Sequence, residues 1–171
     1  LNALVTAKYC SGLIYNSDAV LIISEDAHVS FKKSAKILGI EDKNTYLVPT
    51  DKNGCMYIPS FIKLLDSLIA SGREVFAVVA TFGTTIRGAL DPLNEIGNIC
   101  KEKKIWLHID ASIGGVFFIT DNKFNNISNF NFSNANSITI NPQKLIGIAK
   151  TSSLLLVSDI NTLKNTFQTG L

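Results

Sequence analysis

The chain has 171 residues, 46% of them hydrophobic and 18% charged, which is enough for one buried core and typical of a globular domain. Its net charge is +2 and its lysines are spread along the chain, which argues against a nucleic-acid binder. No apolar run reaches the ~20 residues that cross a bilayer, and the three separated cysteines match no metal-ligand spacing. These properties predict a cytoplasmic protein with no nucleic-acid, membrane or metal partner.

Strands and helices alternate along the predicted chain. A helix is expected over the first twelve residues, and because no Met precedes Leu1 we expect the chain to be part of a longer protein. Apolar, β-branched runs predict strands at 19–24, 45–49, 75–81, 105–110, 137–141 and 151–158. Amphipathic stretches predict helices from His28 to Leu38, Ile58 to Ala70 and Leu93 to Lys103.

Residues that begin or end helices support these boundaries. Asp91 is predicted to be the N-cap of the third of these helices, with Pro92 at its first helical position. Gly39 and Gly72 stand where the first two should end, because glycine readily adopts the left-handed conformation found there.

The order of elements predicts one α/β domain. Strands that are apolar throughout are typical of a sheet covered on both faces, and repeated β-α-β units make the sheet mostly parallel. Only residues 142–150 separate the last two strands, which is too short for a parallel crossover, so the last strand should run antiparallel. The Asn-rich stretch 121–136 is predicted to be a polar loop.

Four strands are followed by polar residues at the edge where open parallel sheets bind ligands. These residues are His28, Thr81, Asp110 and Lys144. An aspartate and a lysine together at this edge suit a cofactor that carries an aldehyde and a pyridine nitrogen, such as pyridoxal 5′-phosphate (PLP). The lysine amine can form a Schiff base with the aldehyde, and the carboxylate can keep the ring nitrogen protonated.

The neighbouring residues extend this hypothesis. His28 could lie flat against the ring, and the small Ala111 would let the ring approach the sheet. Taken singly, each residue also has an ordinary interpretation: an aspartate can cap a turn, a lysine can be a solvated loop charge, and a lone histidine can be structural.

Four segments, in matching order and spacing, resemble the group II PLP-dependent amino-acid decarboxylases. They are SEDAHVSFKKSAKILGI (24–40), TFGTTIRGALDP (81–92), IWLHIDASIGG (105–115) and NANSITINPQK (134–144). The resemblance runs through almost the whole chain. It implies the type I, aspartate-aminotransferase-like fold and the decarboxylation of an L-amino acid to an amine and CO2.

The resemblance also implies roles for individual residues. Lys144 is implied to be the internal-aldimine lysine, Asp110 the partner of the ring nitrogen and His28 the stacking imidazole. Ala111 should lie beneath the ring, Thr81 near the cofactor and Asn141 at the phosphate. The resemblance implies a homodimer in the full-length protein, with residues 1–171 as part of its large domain, without the N-terminal phosphate-binding segment or the C-terminal small domain. Residues 1–171 alone are therefore expected to be inactive.

Departures from the family pattern leave alternatives open. Gln143 stands where a histidine is usual, and Ser112 and Ile113 replace the usual Ala-Tyr pair. Another type I PLP enzyme, such as a cysteine desulfurase, or a non-catalytic fragment or binding module with the same fold, would fit many of the same residues. His108 is either a donor behind Asp110 or a structural histidine.

Overall fold

The fold is that of a computed structural model, which describes residues 1–118 and 132–168. Most of the predicted Asn-rich loop therefore lies outside the described residues. The helices of the described part are α1 (Asn2–Cys10), α2 (Ser30–Ile37), α3 (Ile58–Ala70), α4 (Leu93–Lys103), α5 (Pro142–Leu145) and α6 (Ile160–Phe167). The strands are β1 (Val20–Ser24), β2 (Thr45–Val48), β3 (Val75–Thr81), β4 (Trp106–Asp110), β5 (Ser137–Ile140) and β6 (Leu154–Val157).

These six strands form one sheet in the order β2-β1-β3-β4-β5-β6. The first five run parallel, and β6 pairs antiparallel with β5. The α/β fold and the reversed last strand, both predicted above, are confirmed. Because β1 lies between β2 and β3, the strand order reverses beside β1, which is where open α/β sheets offer a ligand crevice.

Helices cover the sheet on both faces. On one face, α3 and α4 contribute Phe61, Leu65 and Ile96 to an apolar cluster with strand residues such as Ile109. On the other face, α1 and α2 contribute Leu4, Ala7, Phe31 and Ala35 to a second cluster. This arrangement explains why β1 and β3 are apolar throughout, since both faces of these strands are buried.

A buried lysine joins the two helices of the second face. Lys8 of α1 is 1% exposed, and its Nζ donates a hydrogen bond of 2.9 Å to the carbonyl oxygen of Leu38 at the end of α2. The positive charge thus lies at the negative end of the α2 dipole. Burial lowers the pKa of Lys8.

The glycine helix ends and the predicted range of α4 are confirmed, but its predicted N-cap is wrong. Gly39 and Gly72 follow α2 and α3 with φ values of +73° and +71°. The N-cap of α4 is Pro92, not Asp91. The Asp91 carboxylate instead accepts N–H bonds from Met56 (2.6 Å) and Thr81 (2.7 Å), because it is buried among backbone donors of other segments.

Within residues 1–118 and 132–168, no helix is both long and apolar enough to cross a membrane. The His, Cys, Asp and Glu side chains of the same residues form no cluster of three or more that could hold a metal ion.

Candidate active site

A cleft of about 510 Å³ opens at the carboxyl edge of the sheet. The first residues of α1 and α2 form part of its wall. Five of the six predicted site residues line the cleft: His28, Thr81, Asp110, Asn141 and Lys144. Segments that are far apart in the chain therefore meet at the ends of β1, β3, β4 and β5.

Asp110, the last residue of β4, is 8% exposed and contributes the carboxylate of the cleft. Ser112 donates two hydrogen bonds to Asp110 Oδ1, one from its backbone N–H (3.1 Å) and one from its hydroxyl (2.5 Å). Among the described residues, no hydrogen bond reaches Oδ2. One carboxylate oxygen is therefore held by the protein, while the other is open to a ligand with an N–H group.

The structure corrects the predicted position of Ala111. Ala111 is fully buried in the apolar cluster under α3 and α4 and does not line the cleft. Ser112 and Ile113 line it instead. Ser112 lies in the turn after β4 and directs its hydroxyl back to Asp110, whereas the Ala111 side chain packs into the apolar cluster.

Thr81 ends β3 and is 3% exposed. Its backbone is held on both sides by Asp91, whose N–H donates to Thr81 O (2.9 Å) and whose carboxylate accepts from Thr81 N–H. The Thr81 hydroxyl, however, is buried without a hydrogen-bond partner among the described residues. A buried hydroxyl without a partner is costly, so a polar ligand atom in the cleft would satisfy it.

His28 lies in the loop between β1 and α2, and it is exposed. Its Nδ1 accepts the Ser30 N–H at 3.3 Å and lies 2.8 Å from the Ser30 hydroxyl. An Nδ1 that accepts a backbone N–H has no proton of its own, so in the neutral ring the proton is on Nε2. The loop therefore fixes both the tautomer and the direction of the imidazole.

Lys144 belongs to the short helix α5, which follows β5 directly. Asn141 is the N-cap of this helix: its carbonyl accepts the Lys144 N–H (3.0 Å), and its side-chain oxygen accepts the Ser153 hydroxyl (2.8 Å). The Lys144 side chain is exposed at the cleft. Gln143 Oε1 is buried and has no hydrogen-bond partner within residues 1–118 and 132–168.

Two glycines allow the loops after β3 and β4 to touch. Gly114 N–H donates to the Phe82 carbonyl (3.0 Å), and a Cβ on Gly114 would collide with that same carbonyl oxygen. A Cβ on Gly83, which has a φ of +97°, would lie 3.0 Å from the Gly114 nitrogen. This close backbone contact holds Thr81 and Asp110 side by side at the floor of the cleft.

Behind Asp110 lies a buried polar network on β4 and β5. His108 is 1% exposed; its Nδ1 lies 2.9 Å from the Ser137 hydroxyl and its Nε2 lies 3.4 Å from the Thr139 hydroxyl. Trp106 donates its ring N–H to the same Ser137 oxygen (2.9 Å). Burial lowers the pKa of His108 to about 4, although the nearby Asp110 carboxylate raises it. His108 is therefore neutral near pH 7.

Asp91, behind Thr81, is a second buried titratable group. Burial raises its pKa to about 6, while the hydrogen bonds from Met56 and Thr81 lower it. The sequence alone did not reveal this buried carboxylate, because Asp-Pro before a helix is also a common capping pattern.

Sequence comparisons identify the family of the chain. Residues 9–170 match the Pyridoxal-dependent decarboxylase conserved domain. The chain is 37% identical over 140 residues to acidic amino acid decarboxylase GADL1 of Mus musculus, covering 82% of this chain and 25% of that protein. It is 36% identical over 157 residues to the Xenopus tropicalis GADL1, covering 89% of this chain and 30% of that protein.

Solved structures agree with the fold. The crystal structure of mouse CSAD matches with a TM-score of 0.88 and 29% identity, covering 99% of this chain and 37% of that chain. The structure of Oryza sativa TDC with PLP and tryptamine matches with a TM-score of 0.90 at 21% identity, a likeness of fold alone, and covers 99% of this chain and 36% of that chain. The α/β fold is thus that of the large domain of type I PLP decarboxylases.

The chain spans between a quarter and two fifths of the length of these relatives, which carry further segments of their own. Within that span, the match extends through every strand and through all the residues that line the cleft from His28 onwards. The chain belongs to the family of pyridoxal-dependent decarboxylases.

Proposed function

We propose that this chain forms part of the PLP-binding large domain of an L-amino-acid decarboxylase, in which Lys144 binds the PLP aldehyde. The observation that carries the proposal is that Lys144, Asp110 and the unpartnered Thr81 hydroxyl border one cleft. Use of PLP by the family supports it. Each group that the cofactor needs, an amine, a carboxylate and a polar donor, has a candidate in this cleft.

The roles follow from the chemistry of each side chain. The Lys144 amine would form the covalent bond to the aldehyde, and the open Oδ2 of Asp110 would accept the ring N–H. When bound, PLP supplies an electron sink that stabilises the carbanion left by the departing CO2. The Thr81 hydroxyl would bond a polar atom of the cofactor, and Asn141 would lie near its phosphate.

His28 would orient both ring and substrate. Its Nδ1 is engaged by Ser30, so its Nε2–H is the group free to bond a substrate carboxylate, while its flat ring would cover the cofactor. His28 is exposed and at the mouth of the cleft, where a substrate enters. It could also hold the proton that the product carbon requires.

An acidic L-amino acid is the substrate class that we propose. The relatives at 36–37% identity are named acidic amino acid decarboxylases. Homodimer formation, implied by the resemblance, and a cytoplasmic location, predicted from composition, stay predictions; sedimentation analysis and fractionation of cells would test them.

The test of the cofactor site uses the full-length protein, of which this chain is proposed to be a part, and its Lys144→Ala variant. After incubation with PLP and borohydride, the wild type should retain one covalently attached phosphopyridoxyl group, found by mass spectrometry on the peptide with Lys144. The variant should retain none. Lys150→Ala is the matched control, because Lys150 is an exposed lysine near the same edge that does not line the cleft.

The test of the reaction is CO2 release from a panel of L-amino acids. Aspartate, glutamate and cysteine sulfinate should react in preference to aromatic amino acids. Release of sulfur from cysteine without CO2 would instead favour a desulfurase. PLP attachment at Lys144 without any turnover would favour a non-catalytic member of the family.

A further inference from the structure

Ser112 is the residue that makes the two oxygens of the Asp110 carboxylate different. Its N–H and its hydroxyl both donate to Oδ1, at 3.1 and 2.5 Å. Hydrogen bonds from neutral donors to a carboxylate are short and strong, and two on one oxygen fix the rotation of the carboxylate. Ser112 also lines the cleft, so this arrangement is in contact with whatever binds there.

Of the two Asp110 carboxylate oxygens, only Oδ2 accepts no hydrogen bond within the part of the chain that the structure describes. Asp110 is 8% exposed, so water reaches it through the cleft and little elsewhere. A carboxylate in such a site, once it loses water, needs a positively charged or N–H partner. A pyridinium N–H provides both.

We propose that Ser112 is a positioning residue: by holding Asp110 Oδ1, it presents Oδ2 to the protonated ring nitrogen of PLP. This inference rests on the proposed function and extends it to a residue that does not itself bond the nitrogen. Removing the hydroxyl leaves Oδ1 with the backbone N–H bond alone, so the carboxylate gains rotational freedom. This freedom must be lost again when Oδ2 bonds the ring nitrogen, so the affinity for PLP falls.

The other role that Ser112 could have is purely local. Its N–H bond to Asp110 closes a turn of two residues, and such turns stabilise loops without any ligand. A local role would weaken every ligand of the cleft equally. A positioning role would weaken only ligands that have a ring nitrogen.

The experiment therefore compares PLP with its 1-deaza analogue, in which a C–H group replaces the ring nitrogen. Equilibrium dialysis gives the dissociation constants of both for wild type, Ser112→Ala, and Ser112→Thr, which keeps the hydroxyl. Ser112→Ala should bind PLP about tenfold more weakly, the value of one hydrogen bond to a charged group, with the analogue nearly unaffected. Ser112→Thr should restore PLP binding, and thermal melting would verify that each variant folds.

Each result decides between the proposals. If Ser112→Ala weakens both ligands equally, or neither, the positioning role is wrong while the proposed function stands. If the wild type binds PLP and the analogue equally well, Asp110 does not bond the ring nitrogen, and the positioning role is again wrong. If the wild type neither binds PLP nor forms the borohydride-stable adduct at Lys144, the proposed function itself fails.

Discussion

The two faces of the sheet are built from the same strands but differ in chemistry. The face under α3 and α4 is apolar from β1 to β5, with Ile22, Val78, Ile109 and Ile140 in one cluster. The face under α1 and α2 is apolar on β1 and on most of β3, which ends at the polar Thr81. On β4 and β5 it carries polar residues: His108, Asp110, Ser137 and Thr139. The face under α3 and α4 thus stabilises the fold, while the polar half of the opposite face borders the cleft.

The polar part of this face, at the ends of β3, β4 and β5, is stable because most of its side chains form hydrogen bonds with one another. Trp106, Ser137 and His108 form a continuous set of side-chain contacts, and Ser112 holds Asp110. The exception is the Thr81 hydroxyl. Buried polar groups with hydrogen-bond partners lower the stability of the fold little, whereas a buried hydroxyl without a partner indicates a position where a ligand could bond.

The largest effect should come from the apolar face. Ile109→Ala removes a fully buried side chain and should lower the free energy of unfolding by about 4 kcal/mol, measured by urea titration. The neighbouring change Asp110→Asn, on the polar face, should leave stability nearly unchanged and weaken PLP binding instead. The contrast between the faces would be refuted if both variants lost the same stability.

A somewhat smaller effect concerns pH. The folded-state pKa of His108 is about 4 and its ordinary value is 6.5, so the unfolded chain takes up the proton first as pH falls. Stability is lost between pH 6.5 and 4, by up to about 3 kcal/mol. His108→Gln, which keeps a donor and an acceptor, should lack this loss. A constant difference between variant and wild type from pH 7 to 4 would contradict the buried neutral imidazole.

Asp91 should act in the opposite direction. Its folded-state pKa of about 6 lies above the ordinary 3.8, so the folded chain takes up the proton first and gains stability as pH falls from 6 to 4. The gain is about 2 kcal/mol. Asp91→Asn should therefore become less stable relative to wild type as pH falls, in urea titrations at pH 7, 5 and 4. If the stability difference between Asp91→Asn and wild type does not grow, Asp91 keeps its charge down to pH 5 and its pKa is not raised.

The smallest effect is expected at Thr81. Thr81→Val keeps the shape and removes the unpartnered hydroxyl, so the cofactor-free protein should become more stable by about 1 kcal/mol. PLP binding should weaken at the same time, as is common when a site residue is exchanged for a stabilising one. Calorimetry with and without PLP measures both; a loss of stability without PLP would mean that the hydroxyl serves the fold.

Much of the fold was accessible from the sequence because it rests on local patterns. All six strands and the helices α3 and α4 follow from runs and periodicities within one segment, and the reversed β6 follows from the length of 142–150. The edge residues His28, Asp110 and Lys144 were found by the same logic, since parallel strands bring their carboxyl ends together.

The rest depends on contacts between segments. The partners of Asp91 come from two distant segments, so its burial could not be read from the Asp-Pro pair. The bonds of His108 require the register of β4 against β5, in which His108 stands opposite Ser137. The position of Ala111 depends on the turn that follows the end of β4 at Asp110, and strand alternation does not predict the direction of side chains in a turn.

Trp106 is the only tryptophan of the chain, and its ring N–H shares the Ser137 oxygen with His108. A protonated imidazole quenches indole fluorescence, whereas a neutral one does so weakly. The tryptophan emission of residues 1–171 therefore reports, without any label, on the charge of His108, directly behind the cleft.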